Sequence, residues 1–306
     1  MSALRITLTR LGQGVVVVFG ALTISFLLTS SSGNAVDARV TGIDPETRAR
    51  LIHEYGYDQP LLERYWHFLT GAIHGDFGPS LGAVSSPVTQ VLDALPYTLT
   101  LVVAAIVVAS SAAIVLAVYG AVHRSSRIDV VIRRSFMAVQ GIPEFFLGLV
   151  LVLVFAVQLG WLPSFGVDSA SSYVLPVAAL SLPLISTLTR LLRSQLLEVL
   201  GQDFVTALRS KGLSERTIVI RHGLRNAAPP LISYLALQLG WLLGGTIIVE
   251  VVFGVPGIGQ LVVSAANVRD VGTIQAVVVV VAIGYVLCNL LADLVVYAVD
   301  PRVRQA

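Results

Sequence analysis

Residues able to do chemistry are scarce in this chain, and the scarcity is informative. Only 12% of the 306 residues are Asp, Glu, Lys or Arg, and 55% are hydrophobic. The single cysteine, Cys288, lies in an apolar run, so no intrachain disulfide can form. Lys211 is the only lysine, and a glycine follows it. A phosphate-cradling G-x-x-x-x-G-K-[ST] loop therefore exists nowhere in the chain, and if ATP drives this protein another polypeptide must bind it. His53, His67 and His74 share one polar stretch, but no pair has H-x-x-x-H spacing and no cysteine assists. Surface or interfacial histidines are favoured over a metal site. The arginines form no aromatic-interleaved patch, which argues against nucleic acid as a partner. Neither catalytic nor cofactor-binding residues emerge.

Two carboxylates are placed differently. Glu144 follows Pro143, ten residues beyond Arg134, which puts it at membrane depth. An acid there is a functional candidate by default, with interhelical anchoring as an equal rival. Glu250 is expected at the outer end of an apolar run beside FGVPGIGQ, near water. It forms part of an outer gate or is simply a solvated interface acid. Gly240 and Gly244 make a small-xxx-small surface, for a subunit interface or for packing one span on another. Glu144, Phe145, Gly244 and Glu250 are the candidates for lining a translocation path or gate. Asn289 and Asp293, four apart, share a helix face and suit a structural role.

The densest polar chemistry is in residues 201–230. From Arg190 to Arg225 there are seven Lys/Arg against three acids. Asp203 can cap a short helix with Phe204, Ala207 and Leu208 on one face. Gly212 supplies its stop, and a second helix starts at Ser214, carries Glu215 in its first turn and runs to about His222. A helix of about nine residues is marginal alone in water. It suits docking into a groove on another protein or an ordinary loop on anionic headgroups.

The remaining elements follow from hydropathy. Apolar runs at residues 11–29, 97–122, 135–159, 173–197, 231–252 and 271–299 predict six transmembrane helices in an all-α integral membrane protein. The first is read as an uncleaved span rather than a signal peptide. Residues 30–95 form an extracytoplasmic helical segment, with starts at Asp44-Pro45, Pro60 and Ser86-Pro87 and a stop at Gly75. Residues 1–29 hold the N-terminus and first span, and 96–306 the five-helix core, including the basic loop at 201–225. With both termini cytoplasmic, 15 of 20 Lys/Arg fall inside; of the other five, only Arg269 lies outside the long first loop. Pro176 and Pro183 are expected to bend the fourth span.

A family resemblance rests on these residues. TALRSKGLSERTIVIRHGLRNAAPP resembles the EAA loop of ABC-importer membrane subunits, in the dipeptide/oligopeptide/nickel family and closest to the dipeptide permease B type. Of the short Glu-Ala-Ala-x-x-x-Gly motif only Ala207 and Gly212 match, at Thr206-Ala207-Leu208 and Gly212. The longer version, with K-G-L-S-E-R and R-H-x-L-R-N-A, fits nearly throughout. Further similarity lies in Ile142-Pro143, Phe145 and Gly148, in GGTIIVEVVFGVPGIGQLV, in Asn289 to Asp293, and in Asp300-Pro301-Arg302. The Gly-Asp-Pro that the family often carries after its first span is missing. The resemblance implies a type I importer permease fold in the inner cell membrane. It also implies a second permease chain, one or two ATPase chains holding ATP and Mg, an extracytoplasmic solute-binding protein and alternating access. Asp203, Phe204, Ala207, Leu208, Arg209, Lys211, Gly212, Leu213, Ser214, Glu215, Arg216 and Arg221 would then couple to the ATPase. Cargo would be a di- or oligopeptide; nickel or another small solute is the alternative within the family. An ion-gradient transporter, with Glu144 as coupling acid, is the rival class.

Overall fold

Hydrocarbon offers no hydrogen bonds, so an apolar chain that crosses it must satisfy its backbone internally. The computed structural model describes residues 3–31, 45–54, 58–80, 83–124 and 126–299, and among these the regular structure is entirely helical. In chain order the helices are α1 (Ala3–Ser31), α2 (Pro45–Glu54), α3 (Leu61–His74), α4 (Pro87–Val122), α5 (Arg127–Gln140), α6 (Glu144–Leu151), α7 (Val174–Leu200) and α8 (Asp203–Ser210). They continue with α9 (Glu215–Thr217), α10 (Leu224–Gly245), α11 (Ile247–Phe253), α12 (Ile258–Asn267) and α13 (Val271–Val299). Five stretches are long and apolar enough to cross a bilayer: Thr7–Ser31, Pro87–Val122, Ala170–Leu200, Glu215–Gly245 and Val271–Tyr297.

The core is built where α4 meets α7. On α4 Ala105, Ala109, Ala113 and Ala117 recur every fourth residue and are fully buried. On α7 Leu184, Leu188, Leu192 and Leu196 recur at the same interval, and are buried too. Small residues on one helix let the other approach closely, and dispersion contacts replace the hydrophobic drive that lipid removes. The contact is locked at one end by Arg193 of α7, whose guanidinium donates to Asp129 of α5 at 3.0 Å and to the Gly120 carbonyl of α4 at 3.2 Å. α1 lies against α13. A Cβ on Gly14 would come within 2.5 Å of Val286, and Arg10 pairs with Asp293 at 2.5 Å, which gives Asp293 the structural role expected of it. Phe26 of α1 stacks on Phe68 of α3 with ring centroids 5.5 Å apart.

Several expected boundaries move. The helix expected from Ser86-Pro87 and the second span are one helix of 36 residues, running through Pro96 for about 54 Å. The expected third span at 135–159 is divided. Pro143 lacks a donor and biases Ile142 away from helix, so α5 stops at Gln140 and α6 begins at Glu144. α6 passes into a π-helical stretch, Val152–Gln158. The fourth span continues through Pro183. The second helix of the basic loop does not end at His222: α9 passes through π turns at Ile218–Gly223 into α10, so the helix of the fifth span starts at Glu215 rather than Leu231, and at 31 residues it outruns a hydrocarbon core of about 30 Å, leaving its polar first turns outside. Residues 253–270 were expected as an outer loop; after α11 the chain instead turns by 83° into α12, so they are largely helical. Gly75 ends α3 with φ 75°, as expected. Residues 32–44 after the first span, with Asp44 and the stretch where the Gly-Asp-Pro is missing, and the end of the chain, with Asp300-Pro301-Arg302 and the arginine at 304, lie outside the described residues.

The alanine stripe has no room for larger side chains. Ala113→Leu should destabilise the solubilised protein by about 1–3 kcal/mol through overpacking, read as a lowered thermal midpoint. Val115→Leu, at an exposed position two residues away, should not.

Candidate functional site

The basic loop folds into a clamped helix. Leu200 ends α7 and Asp203 begins α8. Val205 is fully buried and pins α8 to the bundle, whereas Phe204 keeps 37% of its surface exposed and Ala207 is also exposed. Leu208 and Leu213 are half-buried. The apolar face expected from Phe204, Ala207 and Leu208 thus exists, but it points largely away from the chain. Asp203 does not cap the helix. Gln202 occupies the N-cap without a side-chain bond, and Asp203 sits in the first turn, where its charge favours the helix dipole.

The exit from α8 is fixed by backbone geometry. Gly212 adopts φ 81°, the left-handed conformation that a side chain disfavours. Its N–H donates to Arg209 at 2.9 Å, and that of Leu213 donates to Leu208 at 3.3 Å, a Schellman closure. Ser214 then caps α9 by accepting from the Thr217 N–H at 3.4 Å. Arg209 reaches across the turn and donates twice to Glu215, at 2.6 and 3.3 Å. The hydrogen bond from Arg209 holds the Glu215 carboxyl below the usual range, and the Arg209 guanidinium is held above its own. Lys211, Arg216 and Arg221 are exposed. Ile218 and Val219 are buried behind the loop.

Glu250 departs most from expectation. It is fully buried rather than solvated. One carboxylate oxygen accepts from the Thr98 and Thr246 hydroxyls, each at 2.8 Å. The other accepts from the Gly259 and Gln260 N–H groups at 2.7 and 3.2 Å. The Thr98 hydroxyl accepts from the Ile258 N–H at 2.9 Å. The first three amides of α12, which no helical carbonyl can satisfy, are therefore all met, and the anion faces the positive end of that helix. A Cβ on Gly257 would fall 2.4 Å from this carboxylate, and one on Gly259 2.9 Å from it. Thr98, Thr246, Gly257 and Gly259 went unnoticed in the sequence; the PGIG spacing was the available signal.

The other path candidates do not converge with it. Glu144 is half-buried at the first residue of α6 and borders an open cleft of about 260 Å³ that none of Phe145, Gly244 or Glu250 lines. Phe145 is 40% exposed. Gly240 packs one span on another: a Cβ there would lie 2.8 Å from Tyr285 of α13. Gly244 faces open space. Elsewhere Asp270, which the sequence reading passed over, is buried and accepts from Ser80 and from the Thr273 hydroxyl and N–H.

An all-helical bundle with several apolar helices of spanning length and a short exposed helix clamped at one end has the architecture of a multi-span membrane protein. The comparisons agree. The chain belongs to the family of binding-protein-dependent transport system inner membrane components, whose pattern matches residues 112–305. It is 37% identical over 267 residues to the glutathione transport system permease protein GsiC of Escherichia coli (strain K12), covering 85% of this chain and 86% of that protein. The GsiC protein of Salmonella typhi is 37% identical over 266 residues, with the same coverage. Among solved structures the inward-facing MetNI methionine ABC transporter matches with a TM-score of 0.58 at 19% identity, over 69% of this chain and 96% of that one. That likeness shows the fold. The protein is a permease subunit of an ABC importer, and family membership displaces the ion-gradient reading.

Glu250→Ala should cost at least about 3 kcal/mol, because several donors to a charged group lose their acceptor inside the protein. The thermal midpoint should fall, and amide exchange at Gly259 and Gln260 should quicken. The Arg209–Glu215 pair should respond to acid. A carboxyl held low contributes fully above the ordinary glutamate value of about 4.5 and loses that contribution as pH falls through its lower folded value. Protection of the Gly212 and Leu213 amides should therefore decline only in that acidic window, and Glu215→Gln should abolish the dependence.

Proposed function

We propose that this chain is one half of the conduit of an ATP-driven importer that takes up short peptides delivered by an extracytoplasmic binding protein. The observation that carries the reading is α8. It exposes Phe204 and Ala207, is fixed behind by Val205, and leads through Gly212 into the helix that becomes the fifth span. An apolar face held out on a rigid base suits insertion into a groove of another protein. Arg209, Lys211, Gly212, Leu213, Ser214, Glu215, Arg216 and Arg221 would edge the contact, with Asp203 and Leu208 flanking Phe204. ATP and Mg would be held by one or two partner ATPase chains, and a second, homologous permease chain would complete the pathway. Both termini and α8 face the cytoplasm in this reading. Binding of ATP would close the ATPase units, α8 would transmit that movement, and hydrolysis would reset it.

Short peptides are favoured because the loop most resembles the peptide branch, and because the curated relatives are named for glutathione, itself a small peptide. Nickel or another solute would show itself in a ligand panel with the purified binding protein. The docking reading is tested with the assembled importer in vesicles. Phe204→Ser and Gly212→Asp should each insert normally yet reduce uptake per ATP hydrolysed by about tenfold, as expected for losing roughly 1.4 kcal/mol of contact between subunits. Unchanged coupling in both would overturn the role of α8.

A further inference from the structure

Among the described residues, the acids of the bundle that are not fully exposed divide into those with partners inside the chain and Glu144. Glu250 accepts four hydrogen bonds. Asp129 pairs with Arg193, and Asp293 with Arg10. Asp270 is held by Ser80 and Thr273. Glu144 has no hydrogen bond or ion pair to any described residue, yet it borders a cleft between α6, α7 and α10. No Lys, Arg or His lines that cleft. A carboxylate at membrane depth without a partner is costly, and a cation arriving from outside the chain would offset that cost.

The opposing wall fits one kind of cation. Tyr234, Gln238 and Trp241 fall at i, i+4 and i+7 on α10, and so line one face of that helix toward the cleft. Two aromatic faces and an amide oxygen suit an ammonium group, through ring quadrupoles and a hydrogen bond. Thr187, on the third wall, accepts from Gln140 at 3.1 Å and donates to the Pro183 carbonyl at 3.2 Å, so its hydroxyl is already engaged. The cleft of about 260 Å³ holds an amine and its first few attached atoms rather than a whole peptide.

We infer that Glu144, with Tyr234, Gln238 and Trp241, is a transient site in the translocation path for the primary ammonium group of the cargo. The inference rests on the peptide-importer reading, since a peptide carries such an amine at its N-terminus. Glu144 can also favour the start of its own helix through the dipole, but glutamine at that position would lose only that small term.

The test uses the whole importer in vesicles, with radiolabelled alanyl-alanine and glutathione as probes. Glu144→Gln should lower the amount of probe moved per ATP hydrolysed by about tenfold, the loss expected for one charge-assisted hydrogen bond. Glu144→Asp, which keeps the charge, should retain at least half of the unsubstituted value. If the unsubstituted importer moves neither probe, both the peptide reading and this site fall. If it moves them and Glu144→Gln matches it, the ammonium site alone falls. A loss of uptake that is matched by an equal loss of ATP hydrolysis, or that Asp fails to restore, assigns Glu144 to structure and overturns the site.

Discussion

No water reaches the middle of a bilayer, so any polar group placed there must find its partner within the protein. The arrangement of this permease follows from that constraint. Backbone groups are satisfied by helices, and most acids by donors drawn from distant parts of the chain. Glu250 shows the scale of the effort. Its partners come from α4, from the Thr246 junction and from the start of α12. The bend of 83° between α11 and α12 therefore has a covalently distant but physically direct cause. A helix that starts anew after a near-right-angle bend leaves amides unpaired at its start, and a buried anion with one threonine beside it supplies the acceptors.

The same constraint explains the use of small residues. Lipid chains are as apolar as leucine, so packing rather than hydrophobicity must hold helices together. Alanines on α4 and leucines on α7 achieve this along their whole contact, and Gly14 and Gly240 do so against α13. Where a glycine meets no neighbour, as at Gly244, the surface is open to whatever lies beside the chain.

Much of this was legible in the sequence, and the failures have a common origin. Long apolar runs and basic loops reveal spans because each span carries its own signal. Gly212 and Ser214 revealed the exit from α8 because turn chemistry is local. Boundaries failed where helix continued through polar sequence, as at His222, or where an apolar run hid a break, as at Pro143. The solvated reading of Glu250 failed because its environment depends on Thr98, 152 residues away. Val205 was overlooked beside the larger Phe204, since a short helix does not declare which apolar residue faces its own bundle.

The continuity of helix from Glu215 to Gly245 has a mechanical implication. Thirty-one residues form a nearly stiff rod of about 46 Å, joined to α8 by one tight corner. Displacement at that corner is not absorbed by a slack tether; it arrives at the far end of the rod as tilt. The π turns at Ile218–Gly223 and the Pro229-Pro230 pair just beyond them are the points where the regular hydrogen-bond ladder of the shaft is broken. Any bending of the rod would concentrate between buried Ile218 and Pro230, leaving the segment from Leu231 onward to pivot as one piece.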